Sequence, residues 1–437
     1  MKKLILSLAA TPLILGSMAV SAQAADDGFN IFSDVKFKGE LRPRYQFTDA
    51  ETSTADAGHQ LTNRTNLNMS AGLFEVDGLS GTIELNAVND FGTEQTNNAQ
   101  VGGEALVAKI SQANIVYGFG DSAAIVGRKT VNIDNQRFIG SVGWKQNFQT
   151  FDLAAYAYGN GGLSVLAAYV YGVNTIGDDG YNYGQGNKFP GSGSGRTNSA
   201  IVNFGYKIAD PIKVTGYAYL LGSASDTYGV AATGKIAMGD SAKLNYRAEV
   251  AMQAAASLKT YADGVISPAP SGHEDSLFGK AMYANLDVGA NISGFLVGLN
   301  YELLGGADEN DNATTAFQTP LATKHKFNGW ADQFLATPDS GLVDLNVRGG
   351  YKFDTAGKII AVYHMFGAAS DDSANNVSSG DAYGTEFDVA YSTKLPGVTG
   401  VKALIKAAVY MNDDGNTVTT SDKTLAWVQL DYKFATK

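Results

Sequence analysis

The sequence contains no cysteine, and after its first 24 residues it has no apolar run near the length of a spanning helix. The lack of cysteine excludes disulfides, thiol chemistry and cysteine-ligated metals. A membrane-spanning helix needs about 20 mostly apolar residues, so the rest of the chain would have to cross a membrane with strands. Proline is also scarce, with 9 residues against 51 glycines, and 11% of the residues are aromatic. This composition is typical of a twisted antiparallel β protein.

Basic residues are in the minority, because 32 Lys and Arg stand against 43 Asp and Glu, for a net charge of −11. Proteins that bind nucleic acid carry the opposite excess, so we expect no nucleic-acid partner. The 4 histidines are scattered, with no His-x-x-x-His pair and no Gly-x-Ser-x-Gly turn. The sequence therefore predicts no enzyme, no metal site and no cofactor. A hydrolase assembled from residues on separate strands is the alternative, but no motif supports it.

The first 24 residues are predicted to be a signal peptide. Two lysines follow the initial methionine, Leu4–Val20 is mostly apolar, and Ala22-Gln23-Ala24 has the small-x-small pattern that signal peptidases cleave. An uncleaved transmembrane anchor is the alternative, but the run is short and is interrupted by Pro12. Residues 25–437 then form the mature domain.

Alternation with a period of two residues dominates that domain. From Val35 to Phe47 every odd residue is apolar or small and every even residue is polar or charged, as in a strand with one apolar and one wet face. A soluble β-sandwich or β-solenoid would alternate too, but strands of about 10 to 13 residues match a tilted membrane span better than the soluble mode of about 5 or 6. About 18 such segments are present. Their approximate centres are Leu41, Leu67, Leu85, Ala113, Ile125, Ala154, Ala168, Phe204, Tyr217, Ala232, Ala248, Leu286, Leu299, Val347, Tyr363, Phe387, Ile405 and Val428.

The connections between these segments alternate between short turns and long polar stretches. Short turns on one rim and long loops on the other are expected of an outer-membrane barrel with periplasmic turns and extracellular loops. The short turns are rich in Gly, Asn, Asp and Pro, which suit tight hairpins. They lie at residues 76–78, 118–121, 159–162, 209–211, 239–240, 292–294, 354–357 and 395–397, and the long stretches at 49–58, 174–198, 258–277, 305–341 and 411–423.

Arginines are concentrated in the predicted strands or beside the loop that opens at Lys129. A guanidinium group that faced lipid would be costly, so we expect these arginines to face water inside the barrel, where rings of arginine favour anions. The alternative is that they pair with acids on the same face, such as Glu40, Glu302 and Glu386, and fill the wall. Seven of the eight arginines follow this pattern: Arg42, Arg44, Arg64, Arg128, Arg137, Arg247 and Arg348.

Two segments, Gly127–Asp152 and Thr319–Leu335, resemble the alginate-export-type family of outer-membrane porins. The resemblance implies an 18-stranded barrel with an arginine-bearing pore for anionic or small hydrophilic solutes, without implying alginate itself. It also implies that the segment Phe327–Leu335 lies in a long loop that folds inward, whereas the residues alone fit equally a surface loop capped by Trp330. The residues that it places at or near the constriction are Arg128, Asp134, Arg137, Lys145 and Asp152.

These observations together predict an all-β, transmembrane antiparallel β-barrel in the bacterial outer membrane. Its predicted function is a porin through which small hydrophilic solutes, anionic ones among them, diffuse passively. The alternative is a plugged structural or adhesive barrel with no transport role. The expected partners are outer-membrane lipid and lipopolysaccharide, the barrel assembly machinery and the solutes. The predicted pore-lining residues are Arg42, Arg44, Arg64, Arg128, Asp134, Arg137, Lys145, Asp152, Arg247 and Arg348.

Overall fold

The computed structural model describes residues 30–50, 57–91, 106–177, 196–222, 224–239, 241–254, 281–307, 316–372, 377–419 and 421–436. The predicted signal peptide, residues 1–24, lies outside the described residues. No described helix has the length and apolar character to cross a membrane.

The described chain forms one closed barrel of 18 antiparallel strands, which confirms the predicted fold. Every strand pairs with its neighbours in sequence, and the first strand also pairs with the last. Each predicted strand centre falls in a different strand. The strands are β1 (Phe32–Ala50), β2 (Gly58–Leu73), β3 (Leu79–Asp90), β4 (Ala108–Phe119), β5 (Ser122–Lys129), β6 (Thr150–Asn160), β7 (Leu163–Asn174), β8 (Arg196–Ala209), β9 (Ile212–Leu221), β10 (Ser225–Met238), β11 (Ala242–Ala254), β12 (Ala281–Ile292), β13 (Phe295–Leu304), β14 (Leu342–Lys352), β15 (Lys358–Gly367), β16 (Ala382–Lys394), β17 (Val401–Asn412) and β18 (Lys423–Ala435).

All eight predicted short turns join strands on one rim of the barrel. At the turn between β2 and β3, Gly78 has a φ of +81°, and a side chain there would overlap the carbonyl oxygen of Gly118, so only glycine fits. The opposite rim carries the long connections, with one exception. There β9 ends at Leu221 and β10 begins at Ser225, so this loop is short.

The outer surface of the barrel is apolar on all sides. In β1, Tyr45 points outward and is 40% exposed, whereas the neighbouring Arg44 points inward and is 2% exposed. Large apolar side chains such as Leu85, Leu286 and Ile405 are exposed on strands all around the barrel. Soluble monomers rarely expose apolar surface on this scale, so the outer face contacts hydrocarbon, as the alternation predicts.

Inward-facing side chains become progressively more buried from the turn rim toward the loop rim. In β11, Lys243 and Asn245 near the turn are exposed, whereas Glu249 and Gln253 near the loops are buried. Strands β14, β16 and β18 show the same gradient. The half of the lumen near the turns is therefore open to water, and the half near the loops is filled by other parts of the chain.

The joint between β1 and β18 contains a gap. Its ladder stops at the pair Leu41 and Tyr432 and resumes at the pair Arg44 and Gln429 in the same register. The gap contains Pro43, which has no N–H to donate to a neighbouring strand. On its other side β1 pairs with β2 through this region without interruption.

Candidate pore constriction

Two connections fold into the barrel and fill the half of the lumen near the loop rim. The first inner loop, residues 130–149, joins β5 to β6, and the second inner loop, residues 316–341, follows β13 and leads into β14. Their central residues Ile139 and Ala331 are fully buried. The inward folding of the Phe327–Leu335 segment therefore agrees with what the resemblance implied and excludes the surface-loop alternative.

The two inner loops bind each other directly. Ile139 and Leu321 form a parallel β-bridge, and the amide of Gly140 donates to the carbonyl of Leu321 at 2.9 Å. The Thr323 hydroxyl donates to Gln136 Oε1 at 2.9 Å. A Cβ at Gly140 would overlap that hydroxyl, so the backbones approach this closely only because residue 140 is glycine. The loops therefore form one hydrogen-bonded unit.

Arginines on β1 and β2 hold the first inner loop by its carbonyl oxygens. Arg42, Arg44 and Arg64 donate to the three successive carbonyls of residues 143–145, at 3.0 Å for Arg42 and 3.1 Å for Arg64. Glu40 accepts from Arg42 at 2.9 Å and from Arg64 at 2.8 Å, which balances their charge. All three guanidinium groups are buried beneath the loop. These arginines face inward as predicted, but their contacts are with the chain itself.

Arg137 on the first inner loop joins the second inner loop to the opposite wall. Its guanidinium donates to both carboxylate oxygens of Glu302 on β13, at 2.7 and 3.1 Å, and to Asn328 Oδ1 at 2.9 Å. The Tyr283 hydroxyl donates to the same carboxylate at 2.8 Å. Burial alone would lower the pKa of Arg137, but the Glu302 carboxylate raises it above the ordinary value. The Arg137 guanidinium therefore keeps its charge inside the barrel.

Carboxylates on β16 hold the second inner loop by its amides. Glu386 accepts from the N–H of Ala331 at 2.7 Å, and Asp388 accepts from the N–H of Trp330 at 3.2 Å. Gly329 has a φ of +82° and lies directly against the Glu386 carboxylate, where a Cβ would not fit. The basic side of the wall thus binds loop carbonyls, and the acidic side binds loop amides.

The three tryptophans of the chain surround one lysine of the wall. The Nζ atom of Lys406, on β17, lies 4.2 Å from the ring centroid of Trp144, 3.9 Å from that of Trp330 and 5.2 Å from that of Trp427. We call these three rings the tryptophan cage. Trp144 belongs to the first inner loop, Trp330 to the second and Trp427 to β18, so the cage joins both loops to the wall.

His325 closes the cage and is neutral. Its Nε2 lies 2.7 Å from Lys406 Nζ, and its Nδ1 lies 2.8 Å from Asp332 Oδ1. A lysine ammonium only donates, so Nε2 is the acceptor and Nδ1 carries the proton. Burial, reinforced by the charge of Lys406, lowers the pKa of His325 to about 3 although Asp332 opposes the shift. Lys145 completes the chain of contacts, 3.4 Å from Asp332 Oδ2.

The remaining predicted residues line the edges of this unit or the open half of the lumen. Arg128 and Asp152 form a two-point ion pair at 2.7 and 3.0 Å where the first inner loop begins and ends. Asp134 on that loop is exposed and accepts from Asn203 at 2.9 Å.

Arg247 and Arg348 lie on the wall. Arg247 donates to Glu249 at 2.7 Å, and Arg348 donates to both oxygens of Asp287 at 2.7 and 2.8 Å. Most of the predicted arginines are therefore paired with acids, as the alternative held. A role for the ten residues in selecting ions stays a prediction.

One side of the lumen departs from the expected polar face. The inward side chains Ile125, Leu153, Leu166 and Ile201, on β5 to β8, are apolar and pack against the first inner loop residue Ile133. Strands here carry apolar residues on both faces, because one face meets lipid and the other meets the loop. This explains why the alternation is poor near Ala168 on β7. Within the described ranges, no group of three His, Asp or Glu side chains is arranged to hold a metal ion.

Comparison with known proteins identifies similar structures. No protein-family model matches the chain, and neither does any curated protein. Pseudomonas aeruginosa OccK9 (OpdG) superposes with a TM-score of 0.70 at 13% identity, covering 92% of this chain and 98% of that one. Acinetobacter baumannii OccAB3 gives 0.67 at 14%, covering 92% and 99%. P. aeruginosa OpdK with vanillate gives 0.65 at 13%, covering 92% and 100%.

These neighbours overturn the resemblance to the alginate-export-type family, which was wrong. The similar barrels are Occ/Opd proteins. The two segments that carried the resemblance lie largely in the inner loops, and their glycine, tryptophan and charged residues make the contacts between these loops and the wall described above. At such low identity the likeness shows the fold alone, and that fold is a closed 18-stranded antiparallel barrel.

Proposed function

We propose that this chain is an outer-membrane channel through which small hydrophilic solutes diffuse passively. The observation that carries the proposal is a closed barrel with an apolar outer face, one half of the lumen open to water and two joined inner loops folded into the other half. The structural neighbours are Occ/Opd outer-membrane channels, which supports transport rather than catalysis. Lipid and lipopolysaccharide would surround the barrel, and the barrel assembly machinery would insert it.

Anionic solutes are part of this proposal. Arg128, Arg247 and Arg348 each retain some exposure toward the lumen, as does Lys145 beside the constriction. One similar structure, OpdK, was obtained with vanillate, which is an organic anion. The acids that pair with these groups reduce the net field, so we expect a moderate anion preference rather than a strict one.

The test is single-channel recording with purified protein in planar bilayers. Discrete conductance steps, and a reversal potential in a salt gradient on the anion side, are the expected result. The competing function, a plugged structural barrel, draws support from the extensive contacts between the inner loops. A plugged barrel should conduct no current across the bilayer, and that outcome would exclude the channel.

A further inference from the structure

Lys406 is the point where the wall meets both inner loops. Its side chain projects inward from β17, is 6% exposed, and reaches three rings and one imidazole. The second inner loop also packs on the first here, because the imidazole of His325 stacks on Trp144 with ring centroids 4.8 Å apart and an interplanar angle of 6°. Removal of the ammonium would therefore leave both loops without their common contact on this side of the barrel.

An ammonium inside aromatic rings is bound by its charge as well as by its shape. The ring faces attract the cation, and this attraction is larger where water is excluded, as it is in the tryptophan cage. The N–H donated to His325 adds a directional contact that fixes the second loop relative to β17. An apolar side chain of similar length would fill the same space without either interaction.

We propose that Lys406 is a positioning residue of the pore, which holds both inner loops at the wall, and that protonation of His325 releases them. The inference rests on the proposed channel function, since it assigns the position of the constriction to a side chain that touches no solute. It goes beyond that function by making the constriction sensitive to acid.

The reason for the acid sensitivity is that the cage accommodates one cation. Protonated His325 would present a second N–H to the Lys406 ammonium at 2.7 Å, so that contact would break. The charged groups that act on this pair are Asp332 and Lys145 from the loops, Arg44 from β1, and Glu386 and Asp388 from β16. Of these groups Asp332 alone hydrogen-bonds to the imidazole, and it already accepts the Nδ1–H hydrogen bond in the neutral form.

The pH window follows from the pKa of His325 in two states, one with the inner loops held at the wall and one with the loops released. The pKa of His325 is about 3 with the loops in place and returns to about 6.5 once the loops leave the wall. Protons therefore favour the released state between these two values, by up to about tenfold in the equilibrium for each pH unit. Above pH 6.5 His325 is neutral in both states and no longer affects this equilibrium.

The experiment compares four forms of the protein in planar bilayers at pH 7.5 and pH 4.5. Lys406→Met removes the charge and keeps the length, and His325→Gln keeps a neutral acceptor that does not titrate. Lys402→Met is the matched control, because Lys402 lies on the same inward face of β17, four residues nearer the turn rim, and is exposed. All forms are first checked for barrel content by circular dichroism.

We expect steady conductance at pH 7.5 from wild type, His325→Gln and Lys402→Met, and a rate of transitions between conductance levels that is on the order of tenfold higher in Lys406→Met. At pH 4.5 wild type and Lys402→Met should reach that higher rate, whereas His325→Gln should stay steady. Equal transition rates in wild type and Lys406→Met at pH 7.5, or equal pH responses in wild type and His325→Gln, would overturn the inference.

A second readout does not depend on conduction. All three tryptophans of the chain belong to the cage, so tryptophan fluorescence, excited selectively over that of the 22 tyrosines, reports the cage alone. In detergent or lipid, the emission of wild type should change between pH 6.5 and pH 4, and that of His325→Gln should not. If wild type forms no channel but the emission follows this pattern, the proposed function fails and the assignment of the cage stands. If wild type conducts but its emission does not change with pH, the inference about Lys406 and His325 fails and the proposed channel function stands.

Discussion

Arg137 and Glu302 meet through two parallel hydrogen bonds, 2.7 and 3.1 Å long, in the buried space between the first inner loop and β13. Asn328 of the second inner loop also binds the pair, because its side-chain amide donates to Glu302 Oε2 at 2.7 Å. Three separate parts of the chain thus depend on one ion pair. Removal of one partner would leave a buried charge without compensation, which typically costs about 3–5 kcal/mol.

Arg137→Met should therefore lower the free energy of opening of the inner loops by about 3–5 kcal/mol. Hydrogen exchange of the Gly140 and Thr323 amides, which donate between the loops, measures that opening. The double variant with Glu302→Gln should recover part of the loss, because no carboxylate is then left unpaired. Unchanged protection of both amides in Arg137→Met would refute the role of the pair.

Gly140→Ala should loosen the contact between the inner loops. The added methyl group would lie on the Thr323 hydroxyl and 2.9 Å from Gln136 Cβ, and overpacking of this kind costs about 1–3 kcal/mol. Limited proteolysis of the loops should accelerate accordingly. Gly349→Ala is the control, because a Cβ there meets nothing within 4 Å. Equal cleavage rates for the two variants would contradict the expected close approach.

Cation-to-anion selectivity should respond to Arg348, which faces the open half of the lumen. Arg348→Gln leaves Asp287 without its two-point partner, so the lumen gains net negative charge. The reversal potential in a salt gradient should move toward cations. The Gly349→Ala variant on the outer face should not move it. A reversal potential unaffected by Arg348→Gln would remove this residue from the permeation path.

Acid should destabilise the folded protein through His325. Its pKa is about 3 when folded and about 6.5 when exposed, so the unfolded chain binds more protons between these values and stability falls as pH falls. The loss is up to about 1.4 kcal/mol for each pH unit below 6.5, and none is expected above it. Urea unfolding in lipid vesicles at pH 7.5 and pH 5 should show this difference in wild type, and a smaller one in His325→Gln. The same pH response in both forms would show that other groups carry it.

Lipid contact can be checked on one strand. The chain has no cysteine, so single substitutions carry a single probe. Ala248 and Asn245 on β11 are both exposed, yet the first faces outward and the second faces the lumen. A spin label at Ala248→Cys should be accessible to oxygen dissolved in lipid, and one at Asn245→Cys to a water-soluble relaxing agent. Equal accessibility at both sites would contradict the membrane-spanning barrel.

The number and order of strands were predictable because each strand obeys a local rule. A residue such as Tyr45 faces lipid whichever strands lie beside its own. Its alternation with Arg44 can therefore be read from the sequence without knowing which strands pair. Turns are local in the same sense. The alternation is poor near Ala168 and Ala232, and at the first of these strands the reason is that the inward-facing Leu166 packs against the first inner loop.

The constriction was predictable only in part, because its contacts join residues that are far apart in sequence. The arginines were correctly expected to face inward, but their partners, the carbonyls of residues 143–145, offer no sequence signal. Lys406 was missed altogether, since it looks like any polar residue of an alternating strand. The available clue was that Trp144 and Trp330, two of only three tryptophans, stand in the two motif segments.

Pro43 divides the joint between the first and last strands into two hydrogen-bonded stretches, Lys38–Leu41 and Arg44–Ala50 on β1. Inside the gap the salt bridge from Arg42 Nε to Asp431 Oδ1, 2.6 Å long, spans the two strands. Separation of β1 from β18 would thus have to break this inward-facing salt bridge as well as both hydrogen-bonded stretches. The wall is thus closed along its whole circumference, which leaves the two ends of the cylinder as the openings of the lumen.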